Sequence, residues 1–158
     1  MYRNNKINAA FFIALLLTSI LSYAQKNSEE YYAMGLDHYY KKEFKEAISC
    51  YSKAIKLKHP NPSLVYMNRG IAKGKLEKFK EAIADFNKTI ELDPKSSDGY
   101  YNRGVAESEL KKTEIAVSDF DKAIQLKPNF ADAYYNRGFA KGQLGLFEDE
   151  INDYSVAI

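Results

Sequence analysis

Tyr100-Tyr101-Asn102-Arg103-Gly104 is written three times in this chain. Tyr66-Met67-Asn68-Arg69-Gly70 stands 34 residues before it, and Tyr134-Tyr135-Asn136-Arg137-Gly138 stands 34 after. A fourth, degenerate copy, Tyr31-Tyr32-Ala33-Met34-Gly35, is displaced by 35. Other positions keep the same step. An aromatic residue follows each Gly by 16, at Tyr51, Phe86, Phe120 and Tyr154, and a small residue lies three further on, at Ala54, Thr89, Ala123 and Ala157. One period held by several independent positions marks a repeat array.

Within each unit the apolar residues have helical spacing. Phe44, Ala47, Ile48, Tyr51, Ala54 and Ile55 recur at steps of three and four, as do Phe79, Ala82, Ile83, Phe86 and Ile90. The pattern predicts helices over Tyr31 to about Lys42 and Phe44 to Lys58, joined by Lys41-Lys42-Glu43. His59-Pro60-Asn61-Pro62 ends the pair, because each Pro lacks an amide hydrogen and restricts the residue before it. In the second unit Ser63 is expected to cap a helix through Leu76, and its partner ends at Asp93-Pro94. In the third, Ser97 caps a helix through Leu110, and Ile115 to Leu126 is the partner, closed by Lys127-Pro128. The fourth opens at Ala131, turns near Gly145 and stops at Ile158. The units are 28–62, 63–96, 97–130 and 131–158, the last incomplete, giving about 3.8 repeats. Neither helix of a pair can bury its stripe alone, so stability comes from stacking neighbours. The recurrent Gly and the small Ala47, Ala82 and Ala116 are expected where helices approach closely. Glu150 stands where the other units have Ala, which predicts looser packing in the last pair.

The chain of 158 residues has room for one domain, and 28% charged with 46% hydrophobic residues is ordinary for a globular protein. Met1 to Asn8 is polar with Arg3 and Lys6, Ala9 to Leu21 is an apolar run of 13 residues, and Ser22-Tyr23-Ala24 supplies small residues ahead of Gln25. That order predicts a secretory signal peptide over 1–24, cut before Gln25, leaving 25–158 as the exported array. A helix of 13 residues reaches only about 20 Å, against a bilayer core of about 30 Å. A cleaved leader, with no membrane insertion afterwards, is therefore expected rather than an anchor. The destination is the periplasm, cell envelope or extracellular space.

Without the first 24 residues, basic and acidic side chains balance at 21 each. The balance makes no electrostatic case for nucleic acid or an anionic membrane. Cys50 is alone and cannot form an internal disulfide; no Cys/His spacing suggests zinc, and His38 and His59 lack partners at ligand spacing. No phosphate loop or nucleophile motif occurs, so neither cofactor nor metal nor catalysis is expected. Asn87-Lys88-Thr89 matches a glycosylation sequon but falls within a predicted helix.

At these residues the chain resembles the tetratricopeptide repeat family. The matching marks are the aromatic four before each Gly, the Gly, the Ala twelve after it, the aromatic sixteen after it, and the closing Pro94 and Pro128. The resemblance covers about residues 28 to 158. It implies an all-α, right-handed superhelical solenoid of antiparallel helix pairs, whose first helices line a concave groove for a protein or extended peptide. In that arrangement the groove residues are Tyr32, Leu36, Tyr39, Met67, Asn68, Ile71, Tyr101, Asn102, Val105, Tyr135, Asn136 and Phe139. The chemistry suits a peptide: amides both donate to and accept from a backbone, and Tyr offers rigid apolar area with a polar tip. Asn68, Asn102 and Asn136 form a ladder. Such residues can hydrogen-bond within the stack, but Asn is a poor helix-interior residue, and its recurrence favours use in the groove.

Arg69, Arg103 and Arg137 stand where the family usually has an apolar residue. Asp85, Asp119 and Asp153 follow them by 16, while the first unit has neutral Met34 and Cys50 at both places. The charges come and go together, predicting an Arg–Asp pair between the two helices of each unit. The competing reading is two unrelated solvent-facing ladders, each worth little. Co-chaperones of the family that grip a C-terminal carboxylate use Lys and Asn in the first repeat, Asn in the second, and Lys and Arg in the third. Here those places hold Tyr32, Leu36, Asn68, Asp98 and Asn102, so only Asn68 matches and Asp98 has the wrong sign. The expected role is a protein-interaction scaffold. The alternatives are a structural protein that self-associates through an uncapped last repeat, and the recognition domain of a larger enzyme or sensor extending past Ile158.

Overall fold

A computed structural model describes Leu16 and residues 27–158. The predicted signal peptide, apart from Leu16, lies outside the described residues. Among residues 27–158 every regular element is a helix. They are α1 (27–40), α2 (Phe44–Lys56), α3 (Pro62–Gly74), α4 (Phe79–Leu92), α5 (Ser97–Glu109), α6 (Thr113–Leu126), α7 (Ala131–Gln143) and α8 (Phe147–Ala157). No described helix is long and apolar enough to cross a membrane.

Local chemistry sets the boundaries, and in places it overrides the expected ones. Asn61, not Ser63, caps α3: its side chain accepts from the Leu64 amide at 3.1 Å, and Pro62 takes the first helical position, where an amide hydrogen is not needed. Ser63 instead donates its hydroxyl to the Thr89 carbonyl at 3.2 Å. In α5 the cap is Ser96, one residue ahead of the expected Ser97, accepting from the Gly99 amide at 3.1 Å. Thr113 opens α6 two residues earlier than the apolar stripe suggested, and α2 stops two residues short because Lys58 takes φ +56°.

The first helix of every pair ends in the same way. Lys42, Glu77, Lys111 and Gly145 occupy the left-handed region, with φ of 63°, 59°, 61° and 78°. In the second unit the Glu77 amide donates to the Gly74 carbonyl and the Lys78 amide to the Lys73 carbonyl. The same two bonds recur at Lys111 and Lys112 and at Gly145 and Leu146. These paired bonds satisfy the carbonyls a helix end would otherwise leave bare, and they reverse the chain into the partner helix.

The aromatic residue of the second helix packs on the Gly of the first. A Cβ on Gly35 would lie 2.5 Å from the Tyr51 ring, one on Gly70 2.6 Å from Phe86, and one on Gly104 2.8 Å from Phe120. The missing side chain is what lets each ring lie against the helix backbone. Tyr51, Phe86 and Phe120 are buried there, with Ala47, Ala82 and Ala116 beside them. Burial of one such ring contributes about 1.5–3 kcal/mol. The last pair departs from the plan, as Glu150 foreshadowed. Its carboxylate lies against Gly142, and α8 leaves Phe147 and Ile151 each 65% exposed.

Each helix from α2 to α8 packs on its neighbours in sequence, and α3 also touches α5 as α5 touches α7. The second helices α4, α6 and α8 stand farther from one another. A stack closer on one side curves toward that side, so the first helices form the inner wall. The architecture is a tetratricopeptide-like solenoid in which stability is shared between neighbouring pairs.

Candidate functional site

The twelve residues read as groove positions all fall on α1, α3, α5 and α7, and none is fully buried. Tyr135 and Phe139 are the most open, at 57% and 52%. Others are partly committed to the stack. The Tyr32 ring lies 5.0 Å from His59 and 6.0 Å from Tyr51; Tyr101 lies 4.8 Å from Phe130 and 6.0 Å from Phe120; Tyr39 lies 5.5 Å from Phe44. Burial pushes the hydroxyl pKa values of Tyr32, Tyr39 and Tyr101 up, so these groups stay neutral donors.

The asparagine ladder is not uniform. Asn68 donates to the Tyr32 hydroxyl of the preceding unit at 2.9 Å, and Asn136 donates to Tyr101 at 2.9 Å and to the Asp132 carbonyl at 3.0 Å. These two residues therefore hydrogen-bond within the stack, the competing reading of the ladder, while remaining on the wall. Asn102 differs. The corresponding place in the unit before it is Met67, which has no hydroxyl, and the Asn102 amide reaches only the Asp98 carbonyl at 2.8 Å.

Behind the wall the arginines join helices as the spacing predicted. Arg69 grips Asp85 with two nitrogens at 2.9 and 2.7 Å, Arg103 grips Asp119 at 2.7 and 2.6 Å, and Arg137 grips Asp153 at 2.8 and 2.5 Å. Each guanidinium also lies over the Tyr three residues earlier, 5.2–5.4 Å from the rings of Tyr66, Tyr100 and Tyr134. A third contact, absent from the sequence reading, reaches the second helix of the preceding unit: Arg69 to Ser52 at 3.0 Å, Arg103 to Asn87 at 2.8 Å, Arg137 to Asp121 at 2.6 Å. Each Arg therefore ties three helices and two units. Only the recurrence of a polar residue 16 or 17 positions before each Arg could have signalled it.

Lys73 and Lys141 add second cations to Asp85 and Asp153, at 2.8 and 3.1 Å. In the third unit Glu107 stands at that position and pairs with Lys112 at 2.9 Å. Burial pushes the Asp153 pKa up, but hydrogen bonds from Arg137 and Lys141 outweigh it and hold the carboxyl below the ordinary range. Hydrogen bonding to the carboxylates holds the Arg103 and Arg137 guanidinium groups above theirs. His38 meets Glu43 at 2.6 Å across the turn between α1 and α2. The sequon does lie in a helix, with Thr89 buried and Asn87 accepting from Arg103. Among the described residues, no group of three His, Cys, Asp or Glu side chains is placed to hold a metal.

Comparison with known proteins decides the family. Family models described as tetratricopeptide repeat match residues 28–61, 63–96 and 86–118, and one described as TPR repeat matches 106–145. The chain belongs to the tetratricopeptide repeat family. A similar stretch occurs in human serine/threonine-protein phosphatase 5, 36% identical over 72 residues, or 46% of this chain and 14% of that protein. The tetratricopeptide chain thus spans about a seventh of that relative's length. In fold it resembles the crystal structure of MamA, with TM-score 0.79, 23% identity, and coverage of 89% of this chain and 81% of that one. It also resembles the first tetratricopeptide domain of Spaghetti (RPAP3) bound to an HSP90 peptide, with TM-score 0.73, 26% identity, and coverage of 77% and 95%.

Proposed function

We propose that this tetratricopeptide array is an exported interaction module that holds an extended segment of a partner protein along the inner wall formed by α1, α3, α5 and α7. The observation that carries the reading is the row of half-open Tyr, Asn and aliphatic side chains along that wall, with Tyr135 and Phe139 largely bare. Such a row offers a backbone hydrogen-bonding partners and apolar area without the basic residues that a carboxylate clamp needs. The HSP90 peptide bound by the RPAP3 domain supports a peptide ligand for a fold of this kind. Export rests on the leader read over 1–24, and the mature chain is expected to begin at Gln25 by N-terminal sequencing.

The test is site-specific photo-crosslinking in cells. A benzophenone side chain at Tyr101 or Phe139 should trap a partner, whereas one at Lys122 on α6, outside the wall, should not. Equal trapping from both faces, or trapping from Lys122 alone, would refute the groove.

A second reading is favoured by one observation: α8 leaves Phe147 and Ile151, one turn apart on the same face, both exposed. A second copy stacked on that face would extend the array. Sedimentation that stays monomeric across a hundredfold concentration range would exclude it.

A further inference from the structure

One opening along the inner wall differs from its counterpart in the preceding pair of units. Between the second and third units, Ile71, Phe79, Phe86 and Val105 line a pocket of about 360 Å³, with Asn102 at its edge. The corresponding opening between the first and second units holds only about 100 Å³. The cause is legible in the repeats. The position filled by Tyr39 in the first unit is Gly74 in the second, and a Cβ there would meet nothing within 4 Å. The equivalent Gly142 of the last unit is covered by the Glu150 carboxylate. Met67, meanwhile, stands where the other units have Tyr32, Tyr101 and Tyr135, so no hydroxyl reaches Asn102. Two departures from the repeat thus fall on one spot, opening an apolar hole and leaving beside it an amide bonded only within its own helix, to the Asp98 carbonyl.

We propose that this pocket is the specificity site of the array, taking one large aliphatic or aromatic side chain of an extended peptide while the Asn102 amide bonds the peptide backbone. The inference rests on the groove reading above and narrows it. The volume lies near the low end of the range of small-ligand pockets, roughly 300–1,000 Å³. An amide that both donates and accepts matches the alternating groups of an extended backbone. Charge at the rim selects the neighbouring peptide residue. Glu77 and Glu109 border the pocket with Lys75 as their only cation there. The rim is therefore net negative, and the residue beside the apolar anchor is Lys or Arg.

The experiment is selection of a phage-displayed random dodecapeptide library on the full chain. Enriched peptides are expected to share a Leu, Ile, Met or Phe next to a basic residue. A synthetic peptide so chosen should lose at least tenfold in affinity when that residue is changed to Ala. Gly74→Tyr, which gives the second unit the residue the first already has, should cost the same or more by filling the pocket. Met67→Tyr should weaken binding several-fold by occupying Asn102. Circular dichroism should show both variants folded, and Met67→Tyr should melt no lower than wild type. A selected peptide indifferent to Gly74→Tyr but released by Tyr135→Ala/Phe139→Ala would overturn this pocket and leave the groove standing. One indifferent to all of these variants would overturn both. Selection without an apolar consensus, or without any binder, also overturns the pocket.

Discussion

Asp153 is a buried carboxylate held by Arg137 and Lys141, and it would be costly without them. Removing one partner from a buried ion pair leaves a charge in a poor solvent, at about 3–5 kcal/mol. The first unit allows that logic to be tested by construction, since Met34 and Cys50 occupy the two places. Cys50→Asp alone should destabilise the protein by about 2–4 kcal/mol in urea unfolding, and adding Met34→Arg should recover at least half of it. A double variant no better than the single would mean that the pair is not transferable between units. The pH response follows from the lowered Asp153 pKa. A depressed folded-state pKa means that the contribution is present above the unfolded value, near pH 4, and is lost as pH falls through the folded value. Wild type should therefore lose more stability between about pH 5 and pH 3 than Asp153→Asn does, measured by thermal melts across that range. These pairs were legible because repeats act as internal comparisons: two positions that gain and lose charge together report a contact. The third contact of each Arg was not legible, because Ser52, Asn87 and Asp121 share polarity but no residue type.

At the scale of single helices, what the sequence showed depended on how conservative each signal was. Apolar stripes and Pro breaks located every pair, since burial and a missing amide hydrogen act whatever the surroundings. Caps were misplaced by a residue or two because Asn61, Ser63, Ser96 and Ser97 are all competent, and only the path of the preceding turn chooses among them. The left-handed ends were hidden altogether where Lys or Glu fills a position suited to Gly. Lys42, Glu77 and Lys111 carry that strain, and only the last unit relieves it with Gly145. Lys111→Gly should therefore raise stability by about 0.5–1 kcal/mol, while Gly145→Ala should lower it by a similar amount. Denaturant midpoints of the two variants check this; a loss from Lys111→Gly would show that chain entropy outweighs the relieved conformation. The asparagine ladder shows the other limit. Its period was visible, but the Tyr hydroxyls that occupy Asn68 and Asn136 come from neighbouring units, and the sequence alone does not say which tyrosines turn inward.

For the whole molecule, the linear arrangement makes stability a local property passed from unit to unit. The pairs in the middle have neighbours on both sides, whereas α8 packs on α7 and leaves much of its apolar surface bare. Opening in such an array should begin where the apolar side chains are least buried, in α8. Amides of α8 are expected to exchange hydrogen at least about tenfold faster than those of α4 to α6 under native conditions. The arginine ties set how far an opening spreads. Arg137 links α7 to α8 through Asp153 and to α6 through Asp121. Arg137→Ala should accelerate exchange in α7 and α8 and leave α4 and α5 near their wild-type rates. Equal acceleration in all units would mean that the array opens in one cooperative step. In that case the wall would respond to a ligand as a single body. With local opening, a peptide seated between the second and third units would protect α3 to α6 first. Exchange measured with a bound peptide then maps where along the wall it lies, independently of any substitution.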